Sequence, residues 1–321
     1  MSKPPVICLM GPTASGKTEL AVSLVEQFPL DVVSVDSALV YRGMNIGTAK
    51  PGLDVLARAP HRLIDIRDPE DAYSAGTFVR DARVQIGEIH AAGRIPLLVG
   101  GTMLYFRALI QGIADLPKAD NVVREEIEAQ AQRVGWSAMH EKLAIVDPQA
   151  AARINPHDRQ RIQRALEVFR ISGRPLSAWQ AAQSQSPPEF EFIKVALVPG
   201  SRAELHRRIN QRFLDMLQLD FVAEVAALRQ RPGLSAGSTS MRSVGYRQIW
   251  AHLDGRDDLE EATAKGQAAT RQLAKRQLTW LRSESGLIVA DPLEAGVKSV
   301  ISAILAEKLN QLRCNGLIGV C

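Results

Sequence analysis

Apolar and polar residues alternate with two different periods over the first hundred positions of the chain. Short apolar runs at 6–10, 31–35 and 95–99 have the length of buried strands. The longer segments 17–28 and 78–93 repeat apolar residues at helical spacing. This β-α-β order predicts an α/β protein in which a parallel sheet is covered by helices.

The alternation stops in the middle of the chain, where only helical patterns remain. The segments 115–120 (DLPKAD) and 183–190 (QSQSPPEF) have the composition of linkers. We therefore predict an all-helical insertion domain, 115–187, between two parts of one core, 1–114 and 188–321.

Two local patterns concern the later helices. Asn155 followed by Pro156 has the cap-then-proline order of a helix start. Ser201 with Glu204 predicts a capping box that opens one long helix, Ala203 to about Arg229. The residues of the C-terminal segment 309–321 do not predict a role for it.

Composition narrows the class of protein. With 321 residues, 46% of them hydrophobic and 23% charged, the chain can bury one large core or two smaller ones. No apolar run approaches the roughly 18 residues that cross a bilayer, so we expect no membrane partner. The three cysteines, Cys8, Cys314 and Cys321, lack the close spacing of zinc or redox motifs. We expect a cytoplasmic protein with reduced thiols.

The positive charge lies in the second half of the chain. Residues 1–160 contain 17 Lys and Arg against 19 Asp and Glu, whereas residues 161–321 contain 22 against 16. Arg outnumbers Lys 29 to 10. Guanidinium groups bind phosphates through two hydrogen bonds and stack on bases, which favours a nucleic-acid partner. An arginine-rich but merely solvated set of helices remains the alternative.

The segment GPTASGKT, 11–18, follows a predicted strand, precedes a predicted helix and matches the phosphate-loop pattern. In such a loop backbone N–H groups point at an anion, and Lys17 adds a full positive charge. The Thr18 hydroxyl is placed to bind Mg²⁺ on the phosphate oxygens. The sequence therefore predicts a di- or triphosphate ligand held by Gly11, Pro12, Thr13, Ala14, Ser15, Gly16, Lys17 and Thr18.

The apparatus of nucleotide hydrolysis is incomplete in this sequence. Such proteins normally end a second apolar strand with an aspartate, but the strand at 95–99 runs into Gly100, Gly101 and Thr102. Asp36 ends another strand, and parallel strands end at one edge of a sheet. We expect Asp36 and Thr102 to face the bound phosphates, with Asp36 either accepting a proton from an attacking nucleophile or fixing that nucleophile by hydrogen bonds. A turn or helix-cap role for Asp36 is the alternative.

Six blocks in order resemble the bacterial tRNA dimethylallyltransferases: GPTASGKT, VDSALVYRGMNIGTAKP, LIDIRDP, LLVGGTMLY, NPHDRQRIQRALEV and MRSVGYRQ. The resemblance extends from about residue 5 to 285 and implies a P-loop NTPase-like core. It implies transfer of a dimethylallyl group from dimethylallyl diphosphate to N6 of adenine 37, adjacent to the anticodon, in tRNAs that read codons starting with U. The phosphate loop then holds the donor's diphosphate with Mg²⁺, and no ATP is used.

The resemblance also implies residue roles. Asp36 orients and deprotonates the adenine amine, Thr102 contacts the same nucleotide, and Lys17 with Arg212 binds the donor diphosphate. The partners are dimethylallyl diphosphate and the tRNA anticodon stem-loop, and we expect a monomer. The residues implied to contact tRNA are Asp36, Ser37, Ala38, Leu39, Thr102, Arg124, Gln160, Arg161, Ile162, Gln163, Arg164, Arg242, Ser243, Val244, Gly245, Tyr246 and Arg247.

Several alternatives remain open. Arg161 and Arg164 share a helical face that either reaches RNA or is merely solvated. Tyr246 either stacks on a base or lies in the core. The rival functions are prenylation of free adenine nucleotides, phosphorylation of a small molecule with ATP, and RNA binding without catalysis.

Overall fold

The core is a six-stranded sheet in which every strand runs parallel to its neighbours. The structure is a computed structural model that describes residues 3–114, 116–183 and 188–314. The strands are β1 (Pro5–Met10), β2 (Leu30–Val35), β3 (His61–Arg62), β4 (Ile95–Gly100), β5 (Glu191–Leu197) and β6 (Leu287–Ala290). Their order across the sheet is β3-β2-β4-β1-β5-β6, with β2, β4 and β1 at its centre.

The helices occur in three groups along the chain. The first group is α1 (Lys17–Gln27), α2 (Leu53–Arg58), α3 (Ala75–Ala91) and α4 (Met103–Ile110). The second is α5 (Asn121–Val146), α6 (Pro148–Ala151), α7 (Arg159–Ser172) and α8 (Leu176–Gln183). The third is α9 (Arg202–Gln218), α10 (Phe221–Arg229), α11 (Tyr246–Leu253), α12 (Leu259–Ser283) and α13 (Val297–Cys314).

Both faces of the sheet are buried, as in parallel sheets covered by helices. Successive side chains of β1 point to opposite faces. Cys8 and Met10 belong to one hydrophobic cluster, which includes residues of α3, α4, α10 and α11. Ile7 and Leu9 belong to the other, which includes residues of α1 and α13. Cys8 is a buried free thiol.

The chain divides into two compact units. One consists of Met1–Ile110 and Glu189–Cys321, and the other of Gln111–Pro188. The second unit has a hydrophobic cluster of its own, to which Ile127 and Ile162 contribute. We call these units the α/β core and the helical unit. A tRNA-binding role for the helical unit stays a prediction.

The predicted single long helix from Ala203 to about Arg229 is wrong. Ser201 does cap α9 by accepting a hydrogen bond from Glu204 N at 3.2 Å. The helix ends at Gln218, however, and α10 starts after Asp220, whose φ of 66° is left-handed. Aspartate tolerates this conformation better than most residues because its short side chain can hydrogen-bond locally.

The predicted helix start at Asn155-Pro156 is also wrong. The helix starts at Arg159, and Asp158 caps it by accepting a hydrogen bond from Arg161 N at 3.1 Å. Asn155 instead accepts a hydrogen bond from His157 N at 2.9 Å, which makes it part of a turn.

The C-terminal segment contributes to the core as far as the structure describes it. Within α13, Leu309 and Leu312 are buried in the same cluster as Ile7. Residues 315–321 lie outside the described residues. Of the helices that the structure describes, none has the length and apolar character needed to cross a bilayer.

Candidate functional site

The loop between β1 and α1 is shaped to bind an anion. Gly16 stands at the N-cap of α1 with a φ of 81°, and no side chain caps the helix there. The first N–H groups of α1 are therefore free to bind a ligand. A Cβ atom on Gly11 would lie 2.7 Å from Ser15 Oγ and 3.0 Å from Leu197 O, so a larger residue would require this turn to shift.

Lys17 and Arg212 are two of the four Lys and Arg residues that line the cavity beside this loop. Lys17 Nζ donates hydrogen bonds to Pro12 O at 2.6 Å and to Ser15 Oγ at 3.4 Å. Burial, and then the nearby Arg212 guanidinium, lower the pKa of Lys17 to about 7. Burial likewise lowers the pKa of Arg212. Both groups lack a carboxylate ion pair among the described residues, so a bound polyanion would supply the missing negative charge.

Asp36 and Thr102 lie together at the carboxyl edge of the sheet, where β2 and β4 pair at Val35 and Gly100. Thr102 Oγ1 accepts a hydrogen bond from Ser37 N at 3.1 Å. Asp36 Oδ1 accepts hydrogen bonds from Ala38 N at 2.8 Å and Leu39 N at 3.3 Å.

Asp36 therefore does act as a turn residue, as the alternative proposed, but only one oxygen of its carboxylate takes part in the turn. Asp36 Oδ2 forms no hydrogen bond within the described parts of the chain. Asp36, Thr102 and the phosphate loop line the same cavity. The turn thus fixes the carboxylate and leaves its second oxygen available to a ligand.

Gln277, on α12, connects the phosphate loop to the end of β4. Its side chain accepts a hydrogen bond from Thr13 N at 3.0 Å and donates one to Gly101 O at 2.8 Å. A Cβ atom on Gly101 would lie 2.5 Å from Gln277 Nε2, so the glycine makes room for this contact. The sequence analysis missed Gln277, because no local pattern predicts a hydrogen bond across 264 residues.

The cavity has a volume of about 720 Å³ and contrasting walls. Its polar lining includes the phosphate loop with Lys17 and Arg212. Apolar side chains cover much of the remainder: Met103, Leu104, Phe213, Met216, Leu273 and Trp280. A cavity of this size and lining suits a small apolar group attached to a phosphate anion.

The segment 242–247 lies partly in this cavity. Arg242, Ser243, Val244, Gly245 and Tyr246 line it, and Arg242 and Arg247 are exposed. Tyr246 has no exposed surface. Its ring packs edge-on against Phe221 with the ring centroids 5.0 Å apart. Of the two alternatives for Tyr246, the structure fits a position in the core. A contact of this residue with tRNA stays a prediction.

In the helical unit, two of the predicted tRNA-binding arginines neutralise a buried carboxylate. Glu167 is 0% exposed and pairs with Arg124 Nε at 3.0 Å and with Arg164 Nη1 at 2.8 Å. Arg164 also donates a hydrogen bond to Pro117 O at 2.8 Å. These contacts give Arg124 and Arg164 a structural role that the sequence analysis did not predict.

The other predicted residues of α7 differ in exposure. Ile162 is 0% exposed, so its side chain packs inside the helical unit, and a contact of this position with tRNA stays a prediction. Gln160 is exposed, and Gln163 donates a hydrogen bond to Arg124 O at 3.3 Å. The side chain of Arg161 is 70% exposed and pairs only loosely with Asp158, at 3.2 Å.

The fold and the cavity define a class of protein: a P-loop α/β protein with an anion-binding loop, an apolar wall and no acidic residue at the end of β4. Residues 39–284 match the family model described as IPP transferase. The chain belongs to the IPP transferase family, and the predicted family and fold class are confirmed.

Curated relatives and solved structures agree with this assignment. The chain is 60% identical over 284 residues to the tRNA dimethylallyltransferase of Alkalilimnicola ehrlichii, covering 88% of this chain and 89% of that one. It is 55% identical over 306 residues to that of Thiobacillus denitrificans, covering 95% and 97%. The crystal structure of the tRNA isopentenylpyrophosphate transferase from Bacillus halodurans matches with a TM-score of 0.71 at 35% identity, covering 96% and 98%. A eukaryotic dimethylallyltransferase acting on tRNA matches with a TM-score of 0.81, and at 23% identity it supports the fold alone.

Proposed function

We propose that this chain transfers the dimethylallyl group of dimethylallyl diphosphate to N6 of adenine 37, next to the anticodon, in tRNAs that read codons starting with U. Its family and its relatives' activity make it a tRNA prenyltransferase. The observation that carries the finer proposal is that the phosphate loop, Asp36 and Thr102 line one cavity.

The donor's diphosphate binds to the phosphate loop in this proposal. Backbone N–H groups at the start of α1, Lys17 and Arg212 line the cavity or border it, and we assign to them the stabilisation of the negative charge that develops as the C1–O bond breaks. Fixed groups of this kind stabilise the transition state because they need no reorganisation during the reaction. The apolar wall receives the five-carbon chain.

Mg²⁺ fits the residues present. The Thr18 hydroxyl lines the cavity, and so does the buried Ser34 hydroxyl, which lacks a hydrogen-bond partner among the described residues. The described residues contain no group of three or more His, Cys, Asp or Glu that could hold a metal. A cation would therefore take oxygens from Thr18, water and the diphosphate, as Mg²⁺ prefers. When bound, Mg²⁺ supplies further positive charge to the leaving diphosphate.

The acceptor amine is held opposite the donor by Asp36. As the N6 lone pair forms the bond to C1, the electron pair of the C1–O bond leaves with the diphosphate, and the N6 proton passes to Asp36 Oδ2. Thr102 contacts the same nucleotide. The base must first leave its stack in the anticodon loop, at a cost of a few kcal/mol that contacts to the tRNA backbone offset.

Those contacts come from both units in our proposal. In the α/β core they are made by 36–39, Thr102 and the exposed Arg242 and Arg247. In the helical unit the exposed Gln160 and Arg161 make them, with a lesser part for Gln163, Arg164 and Arg124. The monomeric state and the cytoplasmic location stay predictions.

The experiment is a reaction with purified protein, Mg²⁺, dimethylallyl diphosphate and an unmodified tRNA transcript. Mass spectrometry of the digested nucleosides should show N6-(dimethylallyl)adenosine, and a transcript with guanine at the modified position should yield none. Absence of alkylated adenosine would contradict the proposal. Faster alkylation of free AMP than of tRNA, or phosphate transfer from ATP, would favour one of the rival functions.

A further inference from the structure

A single carboxylate on α10 binds three successive backbone N–H groups of the loop that follows β2. Glu224 Oε2 accepts hydrogen bonds from Asn45 N at 2.9 Å and Ile46 N at 2.7 Å. Its Oε1 accepts one from Gly47 N at 3.2 Å. Successive N–H groups that converge in this way form an anion-binding nest, which here is filled by a side chain of the protein itself.

The same carboxylate holds Tyr246. The Tyr246 hydroxyl donates a hydrogen bond to Glu224 Oε1 at 2.6 Å. Burial, and then the Glu224 carboxylate, raise the pKa of Tyr246, so the phenol keeps its proton and remains a donor. Glu224 therefore connects two segments that lie about two hundred residues apart in the chain.

Both segments form walls of the cavity. Gly47, Thr48 and Ala49 line it from one segment, and Gly245 and Tyr246 line it from the other. Glu224 is not among the lining residues. Any effect of Glu224 on bound substrates is thus transmitted through these two walls.

The walls fit together tightly. A Cβ atom on Gly47 would lie 2.1 Å from the Phe221 ring and 2.6 Å from the Tyr246 ring, so the loop backbone is pressed against these side chains. Ala49 has a φ of 49°, which is strained for a residue other than glycine. A strained backbone keeps its conformation only where surrounding contacts impose it. Ala49 N donates a hydrogen bond to Ile46 O at 2.9 Å, so Ala49 is connected to the 45–47 segment that Glu224 binds.

We propose that Glu224 is a positioning residue for prenyl transfer, which holds the 45–47 loop and Tyr246 in the geometry that aligns donor and acceptor. The proposal rests on the proposed function. It places Glu224 outside contact with either substrate, and it predicts a loss of turnover without a matching loss of donor binding.

The test uses Glu224→Gln and Tyr246→Phe. The amide of Gln presents an NH₂ group to N–H donors, so the loop loses part of its support, whereas Phe removes one hydroxyl. We expect kcat with tRNA to fall about tenfold or more for Glu224→Gln and less for Tyr246→Phe, because small misplacements of reacting groups reduce rates strongly. The Kd for dimethylallyl diphosphate should stay within about threefold. Glu307→Gln, at an exposed site on α13, is the control for the lost charge.

Turnover is divided by the number of donor-binding sites in each sample. A lower value then reflects misplaced substrates and not a smaller amount of folded protein. The proposal is overturned if turnover per site is unchanged in Glu224→Gln, or if donor affinity falls as much as turnover. If the wild-type protein does not alkylate tRNA at all, the proposed function fails instead. Tyr246→Phe keeps the test decisive should Glu224→Gln not fold.

Discussion

The cationic side chains that line the cavity of the α/β core differ from those of the helical unit in whether a carboxylate pairs with them. In the cavity, Lys17 and Arg212 have no carboxylate ion pair among the described residues, and burial lowers the pKa of both. In the helical unit, Arg124 and Arg164 pair with Glu167, which is 0% exposed.

This difference shows that charge pattern alone does not identify a functional cation. A buried carboxylate needs charged or hydrogen-bonding partners, and a nearby arginine supplies them whether or not the protein binds RNA. A cation that faces a cavity without such a partner is available to a ligand. The four predictions below test the residues of these two regions. They start with Asp36, the proposed acceptor-binding carboxylate, which lines the same cavity as Lys17 and Arg212.

The largest expected effect is that of Asp36→Ala on turnover. Asp36 holds the acceptor in our account, while Lys17 and Arg212 hold the donor. Removing the carboxylate should lower kcat by about two orders of magnitude or more and leave donor Kd nearly unchanged. Steady-state kinetics with donor calorimetry measure both values, and Asp54→Asn on the exposed start of α2 is the control. A mild turnover defect with lost donor affinity would contradict the role of Asp36.

The second prediction concerns Arg164, whose ion pair with the buried Glu167 gives it a structural role. Arg164→Ala leaves Glu167 with fewer partners, and we expect the helical unit to lose about 1–3 kcal/mol of stability. Hydrogen exchange of α5 and α7 measures this change. Arg161→Ala should not alter the exchange, but it should reduce the slope of log K for tRNA against log salt by about one. The reverse pattern would mean that Arg164 is the RNA contact.

A smaller effect is expected for Gln277→Ala. The substitution leaves Thr13 N and Gly101 O without their partner, at a cost of about 1–2 kcal/mol. Because the phosphate loop loses this support, donor affinity should fall about tenfold. Gln272→Ala, exposed on the same helix, is the matched control. Equal donor affinity in both variants would show that the loop holds its shape without Gln277.

The smallest effect is the pH dependence of donor binding. The pKa of Lys17 is about 7 in the free protein, and a bound diphosphate raises it. The complex then binds more protons than the free protein, so donor affinity decreases as the pH rises above about 7. Calorimetry in buffers of different ionisation enthalpy should detect proton uptake that is lost in Lys17→Met. Proton release on binding would refute the assigned environment of Lys17.

The sequence predicts those parts of the site that are formed by residues close together in the chain. The phosphate loop follows from its spacing of glycines, and Asp36 and Thr102 follow from the rule that parallel strands end at one edge. Each of these inferences needs only a strand and the residues directly after it.

Contacts between distant segments were not predictable in this way. Gln277 and Glu224 hold loops 264 and about 178 residues away, and nothing near them in the chain indicates the partner. The break at Asp220 was missed because neither glycine nor proline is present there. The structural role of Arg164 depends on the burial of Glu167, which follows from tertiary packing alone.

The central claim is that the phosphate loop holds the leaving group of a prenyl donor. Calorimetry with Mg²⁺ and a tRNA transcript that lacks the acceptor adenine tests it directly. We predict that dimethylallyl diphosphate binds to the wild-type protein, that Lys17→Ala weakens this binding at least tenfold, and that ATP does not displace it. Tight binding and cleavage of ATP, with no binding of dimethylallyl diphosphate, would contradict the claim.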